Sequence, residues 1–142
     1  MQITSENSAA FLERFVKFYD AVIVGVDIRA LPGKFATIAV ELQAMDRMRP
    51  VIAPTGGGRQ FEWCQVRLIV HGVHEYRFVE SRQYPYRVLS DGLAVAAAPT
   101  EFVLDLDPGP DEWASAQIQS QGSYSKQYIL GERGDFEVTN IL

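Results

Sequence analysis

The chain contains a single cysteine, Cys64, in 142 residues. No intramolecular disulfide is possible, and that usage fits a reducing compartment. Runs of basic residues are also missing. The 13 Lys and Arg are scattered, none adjacent to another, and only Arg47 and Arg49 stand close together. The formal charge is −5. Nucleic-acid modules neutralise phosphates with a basic patch, so a nucleic-acid partner is not expected. Long apolar runs are absent too. The longest, Leu93 to Pro99, is far short of the roughly 20 residues that cross a bilayer as a helix. Residues 1–7 lack the basic and apolar segments of a secretory signal. These absences point to a soluble, cytoplasmic protein that does not engage membranes.

What is present is the composition of an ordinary globular domain: 47% apolar and 22% charged residues, enough apolar content to argue against global disorder. A chain of this length buries roughly two-thirds of its unfolded surface and needs no structural metal. No composition shift marks a boundary, so residues 1–142 read as one domain, with a helix at about 8–19 and a β-rich region over 21–138.

In the helix, Phe11, Leu12, Phe15, Val16, Phe18 and Tyr19 share one side, and Glu13, Arg14, Lys17 and Asp20 the other. The aromatic stripe is expected to cover a sheet face. The pattern then changes to period two. Val22, Val24, Val26 and Ile28 form one apolar face, and Ala36, Ile38, Val40 and Leu42 another, joined by a turn at Leu31-Pro32-Gly33-Lys34. Residues 46–60 break the pattern, with Pro54-Thr55-Gly56-Gly57-Gly58 read as a flexible hairpin tip. Strand patterning returns with Cys64, Val66, Leu68 and Val70 on one face, then at 76–79, then with Phe102, Leu104 and Leu106, at 124–130 and at 136–138. Residues 111–118 read equally as short helix or strand. The predicted class is α+β: seven to eight strands in a mainly antiparallel sheet, as a sandwich or partly open barrel, with one N-terminal amphipathic helix.

Chemistry-bearing residues are few. His71 and His74, followed by Glu75, invite a metal reading, but odd spacing on a strand places them on opposite faces, and the sequence has no third histidine. No metal and no cofactor is expected. The glycine loop ending at Arg59 lacks the lysine, hydroxyl residue and helix of a phosphate cradle. Asp105, Asp107, Asp111 and Glu112 read as a solvated acidic turn, because the twelfth position counted from Asp105 is Ala116 rather than the acid a calcium loop needs. Cys64, on an apolar strand face, reads as a core residue. No catalytic residue is assigned.

The runs Phe18-Tyr19-Asp20-Ala21-Val22-Ile23, Trp63 to Val73 followed by Tyr76-Arg77-Phe78, and Val88-Leu89-Ser90-Asp91-Gly92-Leu93 together resemble a group of small uncharacterised bacterial proteins. Members often carry a His-Asp-Ala junction between helix and strand; here Tyr19 stands in the histidine's place. Several proteins of that general look have been proposed as immunity proteins of bacterial toxin systems. The resemblance implies a bacterial, cytoplasmic setting and a binding role, and transfers no catalytic residue.

Three functional readings follow. The first is a protein-binding or immunity-like module without catalytic activity, with Phe61, Trp63, Tyr84 and Tyr86 as candidate interface anchors and an acidic surface suited to a basic partner. The second is a small-ligand binder or enzyme with a pocket lined by His71, His74, Glu75, Tyr76 and Arg77. The third is a structural homo-oligomer, a homodimer being the simplest form, in which a second copy covers an edge strand.

Overall fold

A computed structural model of the protein describes residues 1–51, 60–80, 87–116, 118 and 125–141. Its elements are β1 (Gln2–Ile3), α1 (Ser8–Arg14), a 3-10 turn (Val16–Phe18), β2 (Ala21–Arg29), β3 (Ala36–Val51), β4 (Gln60–Val73), β5 (Glu75–Phe78), β6 (Val88–Leu89), β7 (Ala94–Ala98), β8 (Glu101–Asp105), β9 (Gln127–Gly131) and β10 (Arg133–Ile141). Six strands form one sheet in the order β1-β10-β4-β3-β2-β6, and four form a second in the order β5-β9-β8-β7. All strand pairs are antiparallel. The fold is thus mainly antiparallel sheet with one short helix, but the described residues hold ten strands rather than seven or eight. The excess comes from the two-residue strands β1 and β6, too short to leave an alternation in sequence.

The long hairpin β3–β4 is the spine. Ile38, Val40 and Leu42 on β3, and Cys64, Val66, Leu68 and Val70 on β4, are buried on one face as their alternation predicts. β3 runs on to Val51, although proline and charge suggested a break after residue 45. The strand continues because its register slips between Asp46 and Pro50, which admits the irregular stretch without ending the pairing. The glycine-rich tip lies outside the described residues.

The chain changes sheet four times, at β4–β5, β5–β6, β6–β7 and β9–β10, and the first and last of these crossings sit side by side. β4 passes to β5 through His74, and β9 returns to β10 through Glu132. Gly134 makes close packing possible here, since a Cβ on it would lie 2.3 Å from the Phe102 ring. Between the sheets lies the main core, which includes Phe102, Leu104, Leu106 and Ile129. The outer face of the four-stranded sheet has a smaller core of its own, formed by Val103, Ile118, Tyr128 and Leu130, with Trp113 packed against it. Residues 111–114 are irregular, and Ala116 and Ile118 after them are helical, with a hydrogen bond from Ile118 N–H to Ser115 C=O; among the described residues of this stretch no strand forms.

The helix is shorter than its periodicity predicts. It stops at Arg14, and Val16, Lys17 and Phe18 follow with φ of 55°, 53° and 59°, a left-handed turn closed by Phe18 N–H to Phe15 C=O and Tyr19 N–H to Val16 C=O. The reversal returns Phe18 to Phe11 (ring centroids 5.4 Å apart) and Phe15 (5.2 Å). Phe11 in turn packs on Phe136 of β10 at 4.7 Å. Tyr19, assigned to the buried side by helical spacing, is left exposed. Gly92 accommodates the turn: its φ is +69°, and a Cβ there would meet the Lys17 carbonyl at 2.2 Å.

Candidate functional site

The residues singled out by sequence do not gather. His71 lies two residues before the end of β4 in the six-stranded sheet, with Nε2 3.0 Å from Asp135 Oδ2. It borders a polar depression of about 590 Å³ with Gln2, Glu132 and Arg133. His74 is exposed at the sheet crossing. Glu75, Tyr76 and Arg77 belong to the other sheet. Glu75 accepts a hydrogen bond from Tyr128 Oη at 2.7 Å. Burial, then the Glu75 hydrogen bond and charge, push the Tyr128 hydroxyl above its ordinary range, so it remains a donor. Tyr76 lies against Phe78 at 6.0 Å, and Arg77 donates to Ser125 C=O at 3.4 Å. Among the described residues no three metal-ligating side chains stand together. Of the proposed interface aromatics, Phe61 is half-buried beneath Arg47 at 5.3 Å, Trp63 is exposed opposite Met45, and Tyr84 and Tyr86 lie outside the described residues.

The buried polar groups serve structure. Cys64 is fully buried. Burial and the nearby Asp46 charge push its thiol up to about 11, which keeps it protonated and a poor nucleophile at neutral pH. Asp105 is not in a solvated turn. It is fully buried and accepts hydrogen bonds from Trp113 Nε1 (2.9 Å), Ser125 Oγ (2.7 Å) and Asp107 N–H (2.9 Å). Its side chain ties the segment after β8 to the start of β9, so a carboxylate in an apolar setting is satisfied rather than hydrated.

The unsatisfied surface is elsewhere, at β2. Sequence places Val22, Val24, Val26 and Ile28 on one face, but the register shifts between Ile23 and Gly25. This bulge at Val24 moves the apolar face by one residue. Before it, Ala21 is buried and Ile23 packs against the core. After it, Val26 and Ile28 stand opposite Val40 and Ile38, whose side chains are in the core, so they share the inner face. Val22 is opposite Gln43 instead.

The inner row is nevertheless uncovered. Val24, Val26 and Ile28 are 49%, 41% and 42% exposed. Among the described residues the four-stranded sheet ends at β5, and they leave the seam between β5 and β2 as an apolar groove of about 760 Å³. Val24, Val26 and Ile28 form one wall and Phe78 and Val79 the other, while Glu80 and Arg87, 3.0 Å apart, stand at its rim.

The backbone is open along the same line. β6 pairs only with Ala21 and Val22, and Ile23 N–H is taken by Arg87 C=O at 2.8 Å. From Val24 to Arg29, β2 has no strand on its outer side among the described residues. An apolar row and an unpaired edge therefore coincide, the two requirements for adding a strand from outside. The sequence signal was present, since the alternation through Ile28 is plain; that its far half is left uncovered depends on where a distant sheet ends.

Comparison with family models, with curated proteins and with solved structures finds no match to this chain.

Proposed function

We propose that this protein is a non-catalytic protein-binding module whose working surface is the open seam along β2. The observation that carries the reading is the coincidence of the exposed Val24, Val26 and Ile28 with a strand edge that lacks an outer partner among the described residues. Fully burying side chains of this kind contributes roughly 1.5–3 kcal/mol each, so completing the burial of three half-exposed ones is a substantial driving force. Main-chain hydrogen bonds along the edge add directionality. An immunity-like role, of the kind the sequence resemblance implies, is one form such a module takes, and the net charge of −5 favours a basic partner.

A photo-crosslinking residue at position 26 tests the reading in the native host cell. Discrete protein adducts are expected from position 26 and none from Lys34 in the neighbouring exposed turn. Equal yields from the two positions, or no adduct from position 26, would count against it.

A further inference from the structure

We infer that the free far end of β2 is covered by β2 of a second copy of this chain, paired antiparallel about Ile28 as a two-fold dimer. The inference rests on the open seam of the binding reading above but replaces its basic partner with a second copy of the same acidic chain, held by local complementary charges. Two copies of one edge joined by a two-fold axis normal to the sheet must place some residue opposite itself. Centring on Val24 or Gly25 runs the pairing into Ile23, Val22 and Ala21, which are already bonded. Centring on Arg29 sets two guanidinium groups opposite each other. Three choices remain, and the side chains discriminate among them.

Centring on Val26 sets Arg29 opposite the partner's Ile23. That position is closed, because Ile23 N–H already donates to Arg87 C=O. Centring on Asp27 sets two carboxylates opposite each other, a destabilising like-charge pair. Centring on Ile28 places Asp27 opposite the partner's Arg29, and Arg29 opposite the partner's Asp27. Each chain then supplies both halves of a symmetric pair of ion contacts. It also sets Ile28 against its own copy and continues the inner apolar row across the junction.

In the single chain Arg29 Nε already reaches Asp27 Oδ2 at 3.1 Å. Both side chains are well exposed, so they can exchange partners without leaving a buried charge. The exposed apolar residues Leu31 and Phe35 follow in the adjoining turn, and the Ile28-centred register carries that turn toward the partner's Val24. Capping the edge in this way also removes a site for uncontrolled strand addition. In this register only Asp27 to Arg29 of the two strands face each other, while Val26 and Gly25 meet Ala30 and Leu31 of the partner's turn. So small a contact implies a weak dimer that forms with rising concentration.

The test uses the full chain and sedimentation equilibrium over the range from about 1 μM to about 1 mM. Wild type is expected to pass from the 15.9 kDa chain to twice that mass. Asp27→Arg alone and Arg29→Asp alone each turn attraction across the junction into repulsion and are expected to weaken the dimer by about tenfold. An equimolar mixture of the two variants makes every cross-chain pair complementary and should restore wild-type affinity as a heterodimer. Repair of the pair within one chain cannot explain that recovery, since each variant chain keeps two like charges.

Failure of the mixture to recover, or a wild type that stays monomeric throughout, overturns the inference. A monomeric wild type that still crosslinks to another protein through position 26 overturns the second copy alone. A monomeric wild type with no adduct overturns the binding reading as well.

Discussion

At the scale of single residues, the sequence showed which side chains are apolar but not which charges are buried. Arg14 reads as a polar-face residue of the helix. In the fold it makes two hydrogen bonds to Asp46, at 3.2 and 3.1 Å, from 32 positions away. Asp46 is fully buried and also accepts from Met48 N–H at 3.0 Å, with Arg49 Nε 3.8 Å distant. Burial alone would raise the Asp46 carboxyl, but the Arg14 and Met48 hydrogen bonds and the charges of Arg14 and Arg49 outweigh it and hold it below the usual range. A carboxyl lowered in the folded state contributes stability above its unfolded value, and that contribution is lost as the pH falls through the folded one. Arg14→Met is therefore expected to cost roughly 3 kcal/mol at neutral pH and less near pH 3, because Asp46 without Arg14 takes up a proton at higher pH than it does beside it. Urea unfolding at the two pH values reads this directly, and an equal loss at both would contradict it. Such long-range pairs leave no periodicity in a sequence, which is why Asp46 and Asp105 were not recognised as buried.

At the scale of elements, strand alternation was the most legible feature, and its interruptions the least. β3 and β4 bury the residues their patterns name, while the bulge at Val24 moves the β2 face by one position without any local sign. The helix ends early for a similarly non-local reason. Phe18 joins Phe11 and Phe15 only if the chain reverses its hand, and the Lys17 carbonyl then accepts the Leu93 N–H at 3.3 Å. Left-handed backbone costs non-glycine residues about 1–2 kcal/mol each, and the burial of Phe15 and Phe18 offsets it. Position 17 is exposed and separates this account from a continuous helix. Lys17→Gly is expected to leave the protein more stable than Lys17→Val by about 1 kcal/mol or more in thermal unfolding. In a right-handed helix interior the order reverses, with glycine the worse of the two.

At the scale of the whole molecule, a mainly antiparallel fold with one helix was legible, because strand patterns joined by short connections leave few alternatives. The division into six and four strands was not. It depends on where the chain crosses between sheets, and the crossing at His74 also separates His71 from Glu75, Tyr76 and Arg77. Nor was the seam legible, because Val22, Val24, Val26 and Ile28 alternate as the residues of a core strand do. The four-stranded sheet stops at β5 with the apolar row of β2 only half covered, and the proposed function follows from that mismatch in extent. Among the described residues no helix is long and apolar enough to cross a membrane.

Amide-resolved hydrogen exchange at low and high protein concentration tests the central claim most directly. The account predicts that those amides of residues 24–29 that point away from β3 exchange faster than the paired parts of β3 and β4 in dilute protein, and that the ones at the Asp27–Arg29 end gain protection as concentration rises. Protection of these amides equal to that of β3 and β4 at every concentration, or a concentration-dependent gain confined to another element, would contradict it.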